Sequence, residues 1–133
     1  MPAADAPIVI AVALLTRADG RTLVVRKRGT TTFIQPGGKI EANEDPAAAL
    51  CRELAEELGL TVEPHQLTFA GSYDGPAVNE PGQTVTAHAF LIATDAGVHA
   101  ANEIEELAWI DPAAPGPIIL APLTRDEFLP LLF

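Results

Sequence analysis

The chain has 133 residues, of which 48% are hydrophobic and 20% charged, with a formal net charge of −10 and a single cysteine. That length supports one domain with a core of its own, and the apolar content excludes a disordered chain. The acidic balance excludes gripping polymeric DNA or RNA through a basic surface, but not a free nucleotide whose phosphates are bridged by cations, and one cysteine excludes an internal disulfide.

No charged-then-apolar leader opens the chain and no apolar run is long enough to span a membrane, so a soluble cytoplasmic protein without membrane partners is expected. Residues 8–16 (IVIAVALLT) are a near-continuous apolar run rich in β-branched side chains. The turn signal Ala18-Asp19-Gly20 and a second run at 22–26 follow, which predicts a hairpin with a buried first strand. The second strand carries Arg26, Lys27 and Arg28, three of the eight basic residues. Alternation along a strand points Arg26 and Arg28 to one side and Lys27 to the other. The cluster is either a solvated strand end or a phosphate clamp, and its place just before a glycine pair favours the clamp. Residues 30–35 read as an extended segment entering Pro36, with Phe33 packing.

Residues 37–60 (GGKIEANEDPAAALCRELAEELGL) read as a loop followed by a helix. Asp45 is a good N-cap, Pro46 suits the first helical position and Gly59 is the expected stop. At about 100° per residue, Ala47, Leu50, Cys51, Leu54 and Leu58 share a packing face, and Glu53, Glu56 and Glu57 project from another. Carboxylates crowded within one turn repel at roughly 0.2–0.5 kcal/mol per exposed pair, so a bare helix gains nothing from them. A hard divalent cation such as Mg²⁺ or Mn²⁺ reverses that sign, and the Gly37-Gly38 pair lets backbone approach a ligand closely. Cys51, on the packing face, reads as a buried structural thiol.

After Gly59, residues 60–62 read as the start of a strand that Pro64 interrupts, and 67–73 as another strand. Residues 74–82 (DGPAVNEPG) are a loop in which Asn79 and Glu80 are either substrate or metal contacts or part of a solvated turn. Residues 84–94 are a clear strand in which His88 reads as a hydrogen-bonded core residue. Glu103, Glu105 and Glu106 form a second acidic cluster before a strand at 107–110, and residues 123–133 read as a terminal helix with Thr124 near its cap and Pro130 disturbing its last turn.

Gly38, Glu44, Arg52, Glu53, Leu54, Glu56, Glu57, Gly59 and Leu60 match the Nudix box, Gly-x5-Glu-x7-Arg-Glu-U-x-Glu-Glu-x-Gly-U with U aliphatic, at every specified position. The lead-in FIQPGGKIE and the later EIEELAWI look like the corresponding stretches of the same family, so the chain resembles the MutT-like Nudix hydrolases over most of its length. The resemblance implies a single α/β domain, an α/β/α sandwich with a mixed central sheet. It implies hydrolysis of a nucleoside diphosphate linked to a group X by water attack on phosphorus. Glu53, Glu56 and Glu57, with the Gly37 carbonyl, would hold Mg²⁺ or Mn²⁺. Glu53 would act as the base, with Glu56 second and a loop residue, Glu80 or Glu103, in reserve. Arg52 would orient the acids, Arg26 or Arg28 would stabilise the leaving phosphate, and Gly38, Asn79 and Glu80 would border the substrate. The small domain resembles the branch acting on nucleoside triphosphates, oxidised guanine nucleotides included, giving the monophosphate and pyrophosphate. ADP-ribose or a nucleotide sugar is the alternative, on the spacing of Pro76 from the box. A non-catalytic nucleotide sensor on the same fold is a further reading, although the box keeps all its carboxylates. Relatives often dimerise, so a homodimer is compatible with the resemblance.

Overall fold

The computed structural model describes residues 7–78 and 80–133. Among them run the strands β1 (Ile8–Thr16), β2 (Thr22–Lys27) and β3 (Gly37–Lys39), helix α1 (Pro46–Leu58), then β4 (Thr68–Pro76), β5 (Thr84–Ala93) and β6 (Ile104–Ile110). The described strands form one mixed sheet in the order β4-β5-β1-β2-β6, with β3 also paired to β1. Among the described strands only β1 and β5 pair in parallel, in register from Ile8↔Val85 to Thr16↔Ala93. That central position explains the unbroken apolar sequence of β1, because a strand covered on both faces has no polar side to display. Its residues Ala11, Ala13 and Leu15 pack with Leu50, Leu54 and Leu58 of α1. Val12 and Leu14 pack on the opposite face with Ala87, Ala89 and Phe128. The expected layered α/β architecture is therefore present.

The hairpin differs from expectation. β1 and β2 pair at Thr16↔Thr22 and then separate. Into the gap passes the segment before the helix: Val25 and Ile34 exchange two backbone hydrogen bonds of 2.8 Å, and the Ala13 amide donates to the Pro36 carbonyl at 2.9 Å. β3 then pairs antiparallel with β1 from Val12↔Gly37 to Ile10↔Lys39. Gly37 has φ 147°, and a Cβ there would strike the Ala11 carbonyl oxygen, so only glycine brings the chain this close to β1. The wedge carries the glycine pair into the middle of the sheet.

Helix α1 has the predicted limits. The Asp45 carboxylate accepts from the Ala47 amide at 3.1 Å, and Gly59 closes the helix in the left-handed conformation at φ 64°. Its packing face needs one correction, since Glu57 is 5% exposed rather than projecting with Glu53 and Glu56. Seven residues bring a helix back to within about 20° of its starting direction, so Glu57 falls on the stripe of Leu50.

Elsewhere the boundaries move. Residues 60–62 do not form a strand; a 3₁₀ turn at Pro64–Gln66 follows them, closed by a reciprocal Glu63/Gln66 capping box. β4 runs to Pro76, past the expected start of the loop, and is bulged between Phe69 and Gly71. β6 begins at Ile104, so Glu105 and Glu106 are strand residues rather than loop. The C-terminus is a π-helical turn, Thr124–Phe128, continuing into a 3₁₀ turn, Leu129–Leu132, rather than one α-helix. Pro130, which has no amide hydrogen to donate, accounts for the change. Among the described residues no helix is long and apolar enough to cross a membrane.

Candidate active site

The site grows from the wedge and the adjoining face of α1. Glu57 is held beneath β3, where its Oε1 accepts from the Gly37 amide at 3.2 Å. Burial pushes its carboxyl up from 4.5 to about 8; the Gly37 hydrogen bond and the Lys27 charge oppose that rise, and the Glu53 charge adds to it. Glu53 lies one helical turn earlier, against Gly38. A Cβ on Gly38 would stand 2.5 Å from the Glu53 carboxyl carbon, so glycine is what leaves this carboxylate its space.

Arg52 ties the acids to the loop. Its Nε and Nη2 each donate to the Glu44 carboxylate at 2.9 Å, its Nη1 donates to Glu53 Oε1 at 2.9 Å, and Nη2 also reaches the Lys39 carbonyl at 3.2 Å. The bidentate guanidinium, helped by the Glu41 amide, holds the Glu44 carboxyl down at about 2, while Glu44 raises the pKa of Arg52 in turn. Glu56 is half exposed and turned to Arg52 at 3.7 Å, out of line with Glu53 and Glu57.

Two cavities meet here. The acidic one, about 330 Å³, is lined by Glu53, Glu57, Glu80 and Glu103 together with Lys27, Gly38 and Lys39. The second, about 170 Å³, has apolar walls that include Ile10, Val12, Val85 and Phe128, and shares Lys27, Gly38, Lys39 and Glu80 with the first. An acidic chamber thus opens beside an apolar one, with two lysines at the junction.

The basic cluster divides as alternation requires, but the cavity takes the other side. Arg26 Nε meets Glu106 at 3.0 Å and Arg28 Nε meets Glu105 at 3.3 Å, both on β6 and away from the carboxylate chamber. Lys27 is the residue that lines both cavities. Glu106 is the register partner of Arg26 across β2 and β6, an opposite-charge cross-strand pair, and Glu105 reaches Arg28 just past the end of β2. Glu80 lies in the junction, 3.5 Å from the Lys39 ammonium. Asn79 lies outside the described residues. Cys51 packs against the core, and burial raises its thiol pKa, as suits an inert side chain. His88 bonds to the Ser72 hydroxyl at 2.7 Å on the β4–β5 surface. Gln35, within the lead-in FIQPGGKIE, and Thr124, near the expected cap of the terminal helix, are both buried in the wall of the apolar cavity, and neither was anticipated as a site residue.

Among the described residues no three His, Cys, Asp or Glu side chains are drawn together as a finished cation site. Arg52 is paired with Glu53 and stands 3.7 Å from Glu56. The donor set still suits a hard divalent cation. Glu57 is a buried carboxyl that accepts from the Gly37 amide and lies within side-chain hydrogen-bonding reach of Glu53, and Glu53 Oε2 is not the oxygen that Arg52 holds. Oxygen donors crowded against their own repulsion are what Mg²⁺ or Mn²⁺ takes.

A sequence profile of the NUDIX domain matches residues 6–132. The chain belongs to the NUDIX domain family. Among relatives, a MutT-like protein of Streptomyces ambofaciens is 31% identical over 100 residues, covering 74% of this chain and 60% of that protein. An 8-oxo-dGTP diphosphatase of Proteus vulgaris is 49% identical over 57 residues, 43% of this chain and 46% of that enzyme. In both, the match spans less than two thirds of the relative's length. The crystal structure of a MutT NUDIX hydrolase from Burkholderia pseudomallei aligns over 95% of this chain and 98% of its own, with a TM-score of 0.79 at 27% identity.

Proposed function

We propose that this NUDIX domain hydrolyses a nucleoside diphosphate linked to a further group, with nucleoside triphosphates, oxidised guanine nucleotides included, as the first class of substrate. The observation that carries the reading is the junction of an acidic and an apolar chamber across Lys27, Gly38, Lys39 and Glu80. A nucleotide has that same division, an apolar base at one end and phosphates at the other. The name of the Proteus vulgaris relative supports a triphosphate.

Glu53, Glu56, Glu57 and the Gly37 carbonyl are the groups that would hold Mg²⁺ or Mn²⁺, with Glu56 released from Arg52 to do so. Bound there, the cation supplies charge neutralisation on phosphoryl oxygens and a more acidic water. The remaining roles belong to the chain. Lys27 and Lys39 attract the phosphates as point charges. Arg52 fixes Glu53 through Oε1, leaving Oε2 to take the proton from the attacking water, and Glu56 is the second choice of base. Water oxygen bonds to phosphorus, the anhydride P–O bond breaks, and pyrophosphate leaves with the electron pair. Glu44 keeps Arg52 aligned, so it acts through Arg52 and not on substrate.

The test is Mg²⁺- or Mn²⁺-dependent release of pyrophosphate and of phosphate from nucleoside triphosphates, 8-oxo-dGTP, ADP-ribose and nucleotide sugars, with Glu53→Gln as control. Pyrophosphate from triphosphates, lost by several orders of magnitude in the control, is the expected result. Turnover confined to ADP-ribose or a nucleotide sugar would move the substrate to that class. Nucleotide binding with no turnover of any substrate would make the domain a sensor.

A further inference from the structure

Gln35 is 3% exposed, lies in the wall of the apolar cavity, and its Nε2 is the buried side-chain nitrogen without a partner among the described residues. Its other end is committed. The Thr124 hydroxyl, itself buried, donates to Gln35 Oε1 at 2.6 Å. Thr124 comes from the C-terminal turn and Gln35 from the wedge, so the hydrogen bond joins the two segments that border the cavity. With Oε1 placed toward Thr124, the nitrogen is the end left over. A buried amide nitrogen without an acceptor carries a desolvation cost that a lone structural glutamine would have no reason to retain.

We propose that Gln35 is the residue that reads the substrate's base, with Thr124 as its positioning residue, and that it selects bases presenting a carbonyl oxygen over those presenting an amino group. This rests on the reading of the paired chambers as a nucleotide site. A glutamine with both ends free pairs with adenine by donating to N7 and accepting from the amino group. With Oε1 already accepting from Thr124, the end left to the ligand is Nε2, which offers two donors. Its complement is an acceptor: the 6-oxo group of guanine or hypoxanthine, or the 4-oxo group of uracil or thymine. A 6-aminopurine would set N–H against N–H at that point. The shared rim of Lys27 and Lys39 sets the phosphates of the same molecule toward the carboxylates.

The experiment compares ligands that differ in this group. Binding of IMP and AMP, and of UMP and CMP, is measured by titration calorimetry with Mg²⁺ present for wild type, Gln35→Leu, Gln35→Glu and Thr124→Val, and hydrolysis of ITP and ATP is followed in parallel. The expected wild-type preference for the oxo member of each pair is about tenfold or more, the size of one well-placed base contact. Gln35→Leu removes the preference, and Gln35→Glu, which offers acceptors, inverts it. Thr124→Val frees the amide to turn, and so narrows the ITP-to-ATP ratio of kcat/KM; a purely structural role would leave that ratio intact. Equal binding of the paired monophosphates by wild type, or no binding of either, overturns the proposal, as does an unchanged preference in folded Gln35→Leu. Preserved IMP preference without turnover would reject the hydrolase reading and keep Gln35. Turnover of ITP and ATP with equal kcat/KM would do the reverse.

Discussion

Replacing Glu57 by glutamine should stabilise the protein when no divalent cation is present, increasingly so as pH rises. The side chain is 5% exposed, and burial lifts its carboxyl from 4.5 to about 8. A carboxyl raised on folding keeps its proton in the native state over a range where the unfolded chain has released it. Stability is therefore greatest below 4.5 and declines as pH climbs toward 8, levelling off above it. At about 1.4 kcal/mol per tenfold, the native state is penalised by about 1 kcal/mol at pH 5, about 3 at pH 7 and about 5 at pH 9. Against a typical total of about 5–15 kcal/mol this is a large effect. Glutamine keeps an oxygen for the Gly37 amide and has no proton to lose, so Glu57→Gln escapes the penalty. Urea denaturation of both proteins in chelator from pH 5 to pH 9 measures it, and the gap should open by about 4 kcal/mol across that range. Saturating Mn²⁺ at pH 8 should recover stability for wild type, by about 2.7 kcal/mol at 100 times the dissociation constant, and little for the variant. A wild-type-to-variant gap independent of pH would refute the assignment of Glu57 as the raised group, and equal Mn²⁺ responses would remove it from the cation's ligands.

Gly38→Ala should lower kcat by tenfold or more with a modest loss of stability, because its Cβ displaces the Glu53 carboxylate; steady-state kinetics with a thermal midpoint separate the two effects. Arg52→Lys keeps the charge but not the fork to Glu44 and Glu53, so kcat should fall while KM changes little, with Glu44→Gln reproducing part of the loss. The Glu44 pair also sets an acid limit. Its carboxyl is held down at about 2, so its stabilisation is complete above the unfolded value of 4.5 and lost as pH falls toward 2; the advantage of wild type over Glu44→Gln in an acid titration should vanish across that window. Lys27→Met should raise KM for a triphosphate several-fold, and Arg26→Met should not, because Lys27 lines the chambers while Arg26 is paired with Glu106.

What could be read in the chain was whatever local chemistry decides. Asp45, Pro46 and Gly59 bound α1 through caps that need no tertiary partner, and residues 8–16 declare a strand buried on both faces by having no polar side. Glu53 and Glu57 line the carboxylate chamber together because four residues apart is about one turn of the helix, whereas Glu80 and Glu103 reach it from other elements. Features that depend on which elements meet were not legible. The hairpin reading failed beyond Thr16↔Thr22 because residues 33–39 enter between β1 and β2, and nothing local to either strand announces an inserted third. The choice of Lys27 over its arginine neighbours rests on β6 lying beside β2 and drawing Arg26 and Arg28 toward Glu106 and Glu105. Gln35 and Thr124 stand 89 positions apart and meet only in the folded chain.

Two buried groups in this domain are left in conditions that folding alone would not select. Glu57 is a carboxyl raised by burial, and Gln35 carries an amide nitrogen without an acceptor. Each could be relieved by one substitution, to Gln at 57 or to Leu at 35, with the surrounding packing kept. Polar groups lacking their complement are expensive wherever they occur, so their positions are informative. Here one lines the acidic chamber and the other the apolar chamber that adjoins it. A cation answers the first and a base carbonyl answers the second, and the phosphates that link such a base to such a cation fit the lysines at the junction. Filling only one chamber leaves the other group's cost in place. A nucleotide with its cation should therefore raise the thermal midpoint by more than the sum of the shifts from cation alone and nucleoside alone. If the three shifts were simply additive, the chambers would be independent sites and the single-ligand reading would fail.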